Sequence, residues 1–279
     1  MMIKVTCKFD FPHRFLFSNP PIFVIKIAMP RYLMLVIAAL FIGLSLRAQT
    51  SETATAIVRK ADERVRGKTS IAEMTIITTR PKWTRSMDIK AWTKGNDYTL
   101  ILVTAPAKDK GTAFLKRKKE VWNWLPSLER TIKLPPSMMS QSWMGTDFTN
   151  DDLVKESSIV EDYEHKLLGV EQQGGRDCHK IELIPKPEAA VVWGKILVWI
   201  DKKDYLQMRS EFYDEFGALS QTMIGSELKM LGGILLPSRL EMIPSEKKGH
   251  STTLVYKALA FNKPIEDNFF TTAQLSKVK

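Results

Sequence analysis

Residues 69–94 read TSIAEMTIITTRPKWTRSMDIKAWTK, and their period decides the fold. Ala72, Met74 and Ile76 alternate with Glu73 and Thr75; beyond Arg80-Pro81, Met87, Ile89 and Ala91 alternate with Ser86, Asp88 and Lys90. Successive side chains of a strand point to opposite sides, so this alternation marks strands with one buried face. Two such runs around a proline turn predict an antiparallel hairpin. The pattern continues through strands over 205–213, 219–231, 234–244 and 251–261. Turns at Gly95-Asn96-Asp97, Gly174-Gly175, Lys202-Lys203-Asp204, Gly217, Gly232-Gly233 and Lys247-Lys248-Gly249 punctuate it. About a dozen strands joined in sequence order predict one continuous antiparallel meander, and no Pro/Gly/Ser-rich linker divides it.

Upstream, Ala54, Ile57, Val58, Ala61 and Val65 recur at helical spacing, and Gly67 ends the run, which predicts one amphipathic helix over Glu52–Gly67. Further short helices are expected at Pro187–Trp193 and Asp267–Leu275. Residues 135–153, from Pro135 to Leu153, show no alternation and are expected to be a structureless insertion.

Residues 1–48 differ from the rest. Met29-Pro30-Arg31, the fifteen-residue apolar run Tyr32–Leu46 and the small residue Ala48 have the parts of a secretory signal. The expectation is an upstream extension plus a cleavable signal peptide over 1–48, with cleavage after Ala48, and one domain over 49–279. An uncleaved anchor is the other reading of the same run. The chain carries 41 Lys and Arg against 31 Asp and Glu, net +10, but 1–48 hold six basic residues and one acid. Half of the excess therefore belongs to the upstream extension and the export signal together. With 44% apolar and 26% charged residues, global disorder is excluded, and 14 Gly and two Cys exclude collagen-like and disulfide-scaffold classes. Cys7 lies in the segment to be removed, leaving Cys178 without a partner for an intramolecular disulfide.

Two motifs remain. Thr104-Ala105-Pro106, Lys110-Gly111-Thr112, Leu115, Val121-Trp122-Asn123-Trp124-Leu125-Pro126 and Arg130 form the first. Met144-Gly145-Thr146-Asp147-Phe148-Thr149-Asn150-Asp151-Asp152-Leu153 is the second. In this order behind a signal sequence they resemble the LolA-like outer-membrane lipoprotein-sorting proteins, over roughly residues 52–275. The resemblance implies a mainly β (α+β) fold, an incomplete antiparallel β-barrel whose concave face carries a helical lid. It further implies a periplasmic carrier of lipid or lipoprotein acyl chains in a Gram-negative envelope, working between an inner-membrane exporter and an outer-membrane acceptor.

A carrier must hide alkyl chains from water, and each buried methylene contributes about 0.8 kcal/mol. The positions that period-two reading turns inward are Met74, Ile76, Met87, Ile89, Trp122, Trp124, Leu206, Met208, Phe212, Leu240 and Met242. Packing as a filled core is the competing reading of each. Met138, Met139, Trp143, Met144 and Phe148 in the irregular segment read as a lid or entrance, because unbranched Met side chains adapt to variable ligands.

Enzyme chemistry is not signalled. Gly67-Lys68-Thr69 follows a helix and lacks the first glycine of a phosphate loop. There is no Gly-x-Ser-x-Gly elbow and no His-Glu-x-x-His, and His165, His179 and His250 are scattered. Cys178 and His179, adjacent on a strand, diverge, and read as a buried Cys and a hydrogen-bonded His. No cofactor, metal or nucleic-acid partner is expected, and a monomer is. Lys116-Arg117-Lys118-Lys119 reads as a solvated turn, with docking to an acidic partner or anionic headgroup as the alternative. The rival function is a non-enzymatic envelope adaptor or sensor working with an inner-membrane exporter.

Overall fold

In the computed structural model, residues 52–154 and 158–278 are described, and all of them belong to one compact unit, Ser51–Lys279. The signal-peptide expectation for 1–48 lies outside the described residues. The chain opens with helix α1 (Ala54–Arg66), whose N-terminus is capped by Thr53: its Oγ1 accepts from the Ala56 amide at 3.2 Å. Gly67 closes it at φ 59°, a left-handed backbone that a β-carbon would strain. Ile57 and Val58 are fully buried, worth about 1.5–3 kcal/mol each. Val65, expected on the apolar stripe, is 37% exposed; Asp62 is buried instead and bonds Arg66 one turn on at 2.7 Å.

Thirteen strands follow, all pairing antiparallel in a single curved, open sheet. They are β1 (Thr69–Arg80), β2 (Trp83–Lys94), β3 (Tyr98–Ala105), β4 (Ala113–Arg117), β5 (Glu120–Leu125), β6 (Arg130–Leu134), β7 (Tyr163–Gln173), β8 (Arg176–Pro185), β9 (Lys195–Asp201), β10 (Gln207–Tyr213), β11 (Leu219–Leu231), β12 (Ile234–Pro244) and β13 (Ser251–Phe261). The spatial order is β6-β5-β4-β3-β2-β1-β13-β12-β11-β10-β9-β8-β7. Two hairpin-connected meanders thus join where β1 pairs with β13, so the first and last strands meet at the centre.

This order places β6 and β7, consecutive in sequence, at opposite edges of the sheet. The chain between them must cross its full width, and that crossing is the irregular segment. The segment is not structureless: it forms single 3₁₀ turns at Pro136–Met138 and Trp143–Gly145, a bridge between Ser142 and Thr149, and helix α2 (Asn150–Val154). Pro187–Trp193 is not helical; one turn, closed by the Ala189 amide on the Lys186 carbonyl, interrupts extended chain framed by Pro185 and Pro187. The C-terminal expectation holds as a 3₁₀ turn at Asp267–Phe269 and helix α3 (Thr272–Leu275).

Both faces of the sheet are covered. The concave face carries the main core, where α1 and the crossing segment pack on it. Over β2–β5 the convex face is buried as well, against Phe269, Phe270 and Leu275 of the C-terminal segment. A continuous apolar run, Leu100-Ile101-Leu102-Val103, marks this double burial: Ile101 and Val103 join the concave core, Leu100 and Leu102 the convex one. In the basic turn only Arg117, Lys118 and Lys119 are exposed; Lys116 lies inside β4 and is buried.

Candidate functional site

Three neighbouring strands build the floor of the concave face in rows. Ser70, Thr93 and Thr99 stand in register on β1, β2 and β3; the next row is Ala72, Ala91 and Ile101, and the next is Met74, Ile89 and Val103. The alanine row is the small one. Between this floor, α1 and the crossing segment lies a cavity of about 290 Å³, close to the lower end of the roughly 300–1,000 Å³ usual for ligand sites. Phe212, Met223, Leu240, Met242 and Leu254 extend its apolar wall through β10–β13.

Six of the inward-facing expectations border this cavity: Met74, Ile89, Phe212, Leu240 and Met242, together with Leu206, which itself packs with Met208, Cys178 and Trp199 in a second cluster. Ile76 and Met87 belong to the same concave core without reaching the cavity; they are cross-strand partners and almost wholly buried. Trp122, Trp124 and Met208 are misplaced by period-two reading. The two tryptophans lie on the convex face with Leu115 and Phe270, while Val121 of the same strand faces the concave core. Met208 sits at a register shift between Gln207 and Arg209; this bulge resets the alternation and sends it to a convex cluster with Cys178 and Trp199.

Of the lid residues, Phe148 lines the cavity. Met139 and Trp143 are buried in the concave core, and Met138 and Met144 pack against it. The segment is pinned at this point. Asp147 receives Arg80 Nη1 at 2.8 Å and the Thr252 hydroxyl at 2.7 Å, and its own amide donates to Thr252 Oγ1 at 2.9 Å. Arg80 Nη2 donates to the Gly145 carbonyl at 3.0 Å, and Arg85 reaches the Met144 carbonyl. The Arg80–Asp147 pair is nearly buried, at 11% and 5% side-chain exposure.

Sequence reading missed Trp193, Asp152 and the polar rim. Trp193, just ahead of β9, donates Nε1 to Asp152 Oδ1 at 3.3 Å and stacks at a tilt on Phe212, centroids 5.2 Å apart. Asp152 follows the opposite edge strand, so this contact bridges the concave face. Removal from water raises the Asp152 carboxyl to about 6, with neighbouring Asp151 adding to the rise and hydrogen bonds from Thr149 and Trp193 opposing it. Burial likewise raises the Tyr163 hydroxyl well above its ordinary value. No sequence signal marks Trp193 as a cavity residue, because it lies in irregular chain between β8 and β9.

No cluster of three His, Cys, Asp or Glu able to hold a metal occurs among the described residues. The Cys178 thiol is buried and pushed up to about 11, chiefly by desolvation, so it is not a nucleophile near neutral pH. His179 is not satisfied as expected: its buried Nδ1 has no partner among the described residues. No helix of the described residues is long and apolar enough to cross a membrane.

An open antiparallel sheet wrapped around a partly filled apolar cavity is the LolA-like architecture, and solved structures agree. A LolA superfamily protein from Nitrosomonas europaea is 26% identical, with a TM-score of 0.69 over 80% of this chain and 99% of its own. A domain described as an outer-membrane lipoprotein-sorting protein, from Vibrio parahaemolyticus, is 28% identical, with a TM-score of 0.71 over 80% of this chain and 98% of its own. A DUF1329 family protein from Desulfovibrio piger shares the fold at 22% identity, TM-score 0.73, over 80% of this chain and 97% of its own. The resemblance read from the two motifs therefore holds. A family model described as "Uncharacterized protein" matches residues 95–277, well over half of the chain, and the chain belongs to that family. No curated protein sequence matches significantly. The family match begins beside β3 and so takes in both motifs, which form β3–β6 and the crossing segment packed on them.

Proposed function

We propose that this protein is a periplasmic, non-enzymatic carrier that holds the acyl chain of a lipid or lipoprotein in the cavity between the sheet and its cover. The observation that carries this reading is the unfilled apolar space over the Ala72–Ala91 row. A sheet built to be a plain core would place large side chains there, because empty space forfeits packing at about 24 cal/mol per Å³. A ligand that fills the space recovers that contact and removes alkyl surface from water.

Release needs the cover to move. Asp147 and Arg80 fix the middle of the crossing segment, so exchange runs through the Asp152–Trp193 bridge and the facing flank of α1. Delivery from an inner-membrane exporter to an outer-membrane acceptor fits export by the 1–48 signal and the sorting description of the Vibrio relative.

The test is solvent extraction and mass spectrometry of protein purified from its native host, together with titration by a fluorescent fatty acid. Co-purified acyl lipid and saturable one-site binding are expected. Protein that is consistently empty and does not bind the probe overturns the carrier reading. In-cell cross-linking that captures protein alone would favour the adaptor.

A further inference from the structure

One end of the cavity carries a row of hydroxyls beside guanidinium groups. Ser70, Thr93 and Thr99 form the row nearest the β2–β3 turn, and α1 ends at the same place, since only Gly67 and Lys68 separate Arg66 from Thr69. Arg64 and Arg66 of that last helical turn both line the cavity. Their charges differ in availability. Arg66 is held by Asp62 at 2.7 Å, and Lys94, at the end of β2, is held by Asp267. Arg64 donates only to the Leu235 backbone carbonyl, at 3.3–3.4 Å, and has no carboxylate partner among the described residues. A carbonyl does not neutralise a guanidinium, so one positive charge faces the space uncompensated.

The hydroxyl row complements it. Ser70 Oγ and Thr93 Oγ1 lie 2.7 Å apart; a pair sharing one hydrogen bond keeps its second O–H available to an outside acceptor. Past this rim come the alanines, then Met74 and Ile89, so the wall turns from donor-rich to wholly apolar within three rows. The carboxylates of Asp151 and Asp152 line a different wall, on α2 over β3 and β4, and would repel an anion from it.

Resting on the carrier reading, we infer that the ligand is an amphiphile with an anionic head, a carboxylate or a phosphate, received by Arg64 and the Ser70–Thr93–Thr99 hydroxyls while its chain runs toward Met74 and Ile89. Poor solvation inside an apolar cleft strengthens the pairing relative to a surface contact.

The experiment compares ligands that differ only at the head, using the delipidated full chain and displacement of a fluorescent probe. Dodecanoate is set against dodecanol, and lysophosphatidate against the monoacylglycerol of equal chain length. Each anion is expected to bind about tenfold tighter than its neutral counterpart, the scale of one charge-assisted hydrogen bond. The larger of the two ratios assigns carboxylate or phosphate. Arg64→Gln should bring the ratios to within about twofold, and Arg64→Lys should keep most of the preference. Thr93→Val, which leaves the helix untouched, should lower the ratio by a smaller factor. Equal binding of acid and alcohol by the unmodified protein, or a preference that survives Arg64→Gln, overturns the head-group assignment and leaves the carrier standing. Failure of all four amphiphiles to bind overturns the carrier reading itself.

Discussion

The two covers of the β1–β5 half of the sheet are held in different ways. On the convex side the C-terminal segment is packed ring on ring: Trp92 with Phe269 at 5.3 Å, Tyr98 with Phe270 at 5.3 Å, and Phe269 with Phe270 at 5.4 Å. Trp122 and Trp124 fill the remaining room beside them. On the concave side the crossing segment is anchored by the buried Trp143, its ring 5.3 Å from that of Phe114, and by polar contacts around Asp147, and the floor beyond these anchors carries alanines. Large rigid side chains leave no void and no freedom to move. A cover that runs on past its anchors over small residues leaves both. One strand pair therefore presents a finished core on one face and an unfinished one on the other, and the unfinished face is where a ligand can act as the missing side chain.

The comparison is broken most sharply at its anchors. Phe270→Ala should cost about 3–5 kcal/mol, since a fully buried ring is deleted from a filled cluster. Arg80→Ala should cost about 3 kcal/mol by leaving Asp147 buried without its cation. Chemical denaturation measures both losses, and acyl-probe binding separates them. Phe270→Ala should leave affinity unchanged, whereas Arg80→Ala should weaken it by freeing the cover. Equal effects on binding would mean that the two faces are not independent.

A pH series probes the bridge across the cavity. The folded Asp152 carboxyl titrates near 6, above the 3.8 of an unperturbed aspartate, so the folded protein takes up this proton first. Stability from this group is greatest below about pH 4, where both states are protonated, and is lost as pH rises through 6. The gain between pH 7.5 and 5 should be about 1 kcal/mol, after allowing for partial contact with solvent in the cavity. His165 and His179, both lowered by burial, act in the opposite sense on acidification. Melting curves of the wild type and Asp152→Asn at both pH values isolate the Asp152 part; identical pH dependence would remove Asp152 from the bridge.

The smallest expected change in stability tests the void directly. Ala91→Leu should shift stability by no more than about 1 kcal/mol, because the added atoms enter existing space. Acyl binding should nevertheless fall at least about tenfold, the loss of roughly two buried methylenes. A loss of several kcal/mol in the same denaturation assay would show that the alanine row is already packed.

Much of this architecture was legible before any coordinates. The alternation of 72–76 and 87–91 gives both the hairpin and its buried face, because one-sided burial writes period two directly into the sequence. Gly67 and the 54–65 spacing give the helix and its end for the corresponding reason at period 3.6. Trp122 and Trp124 show where that reasoning stops. Their strand is buried on both faces, so period two no longer says which side a residue serves, although the unbroken apolar run at 100–103 signals the ambiguity. Met208 fails for another reason: a bulge shifts the phase by one residue and leaves no mark in composition. The rim was half legible, since Ser70 and Thr93 share the parity of Met74 and Ile89 and only their polarity kept them from being counted.

By itself the sequence determined the antiparallel meander, the capping helix and the family motifs, because each depends on neighbours a few residues apart. Tertiary structure alone decided that β1 meets β13, that β6 and β7 stand at opposite edges, and that the chain between them must cross the concave face. It also decided which apolar residues close a core and which leave a cavity. Those outcomes depend on contacts between residues a hundred or more positions apart, such as Arg80 with Ser251 and Asp147 with Thr252. A local hydrophobic pattern records that a side chain is buried, but not against what.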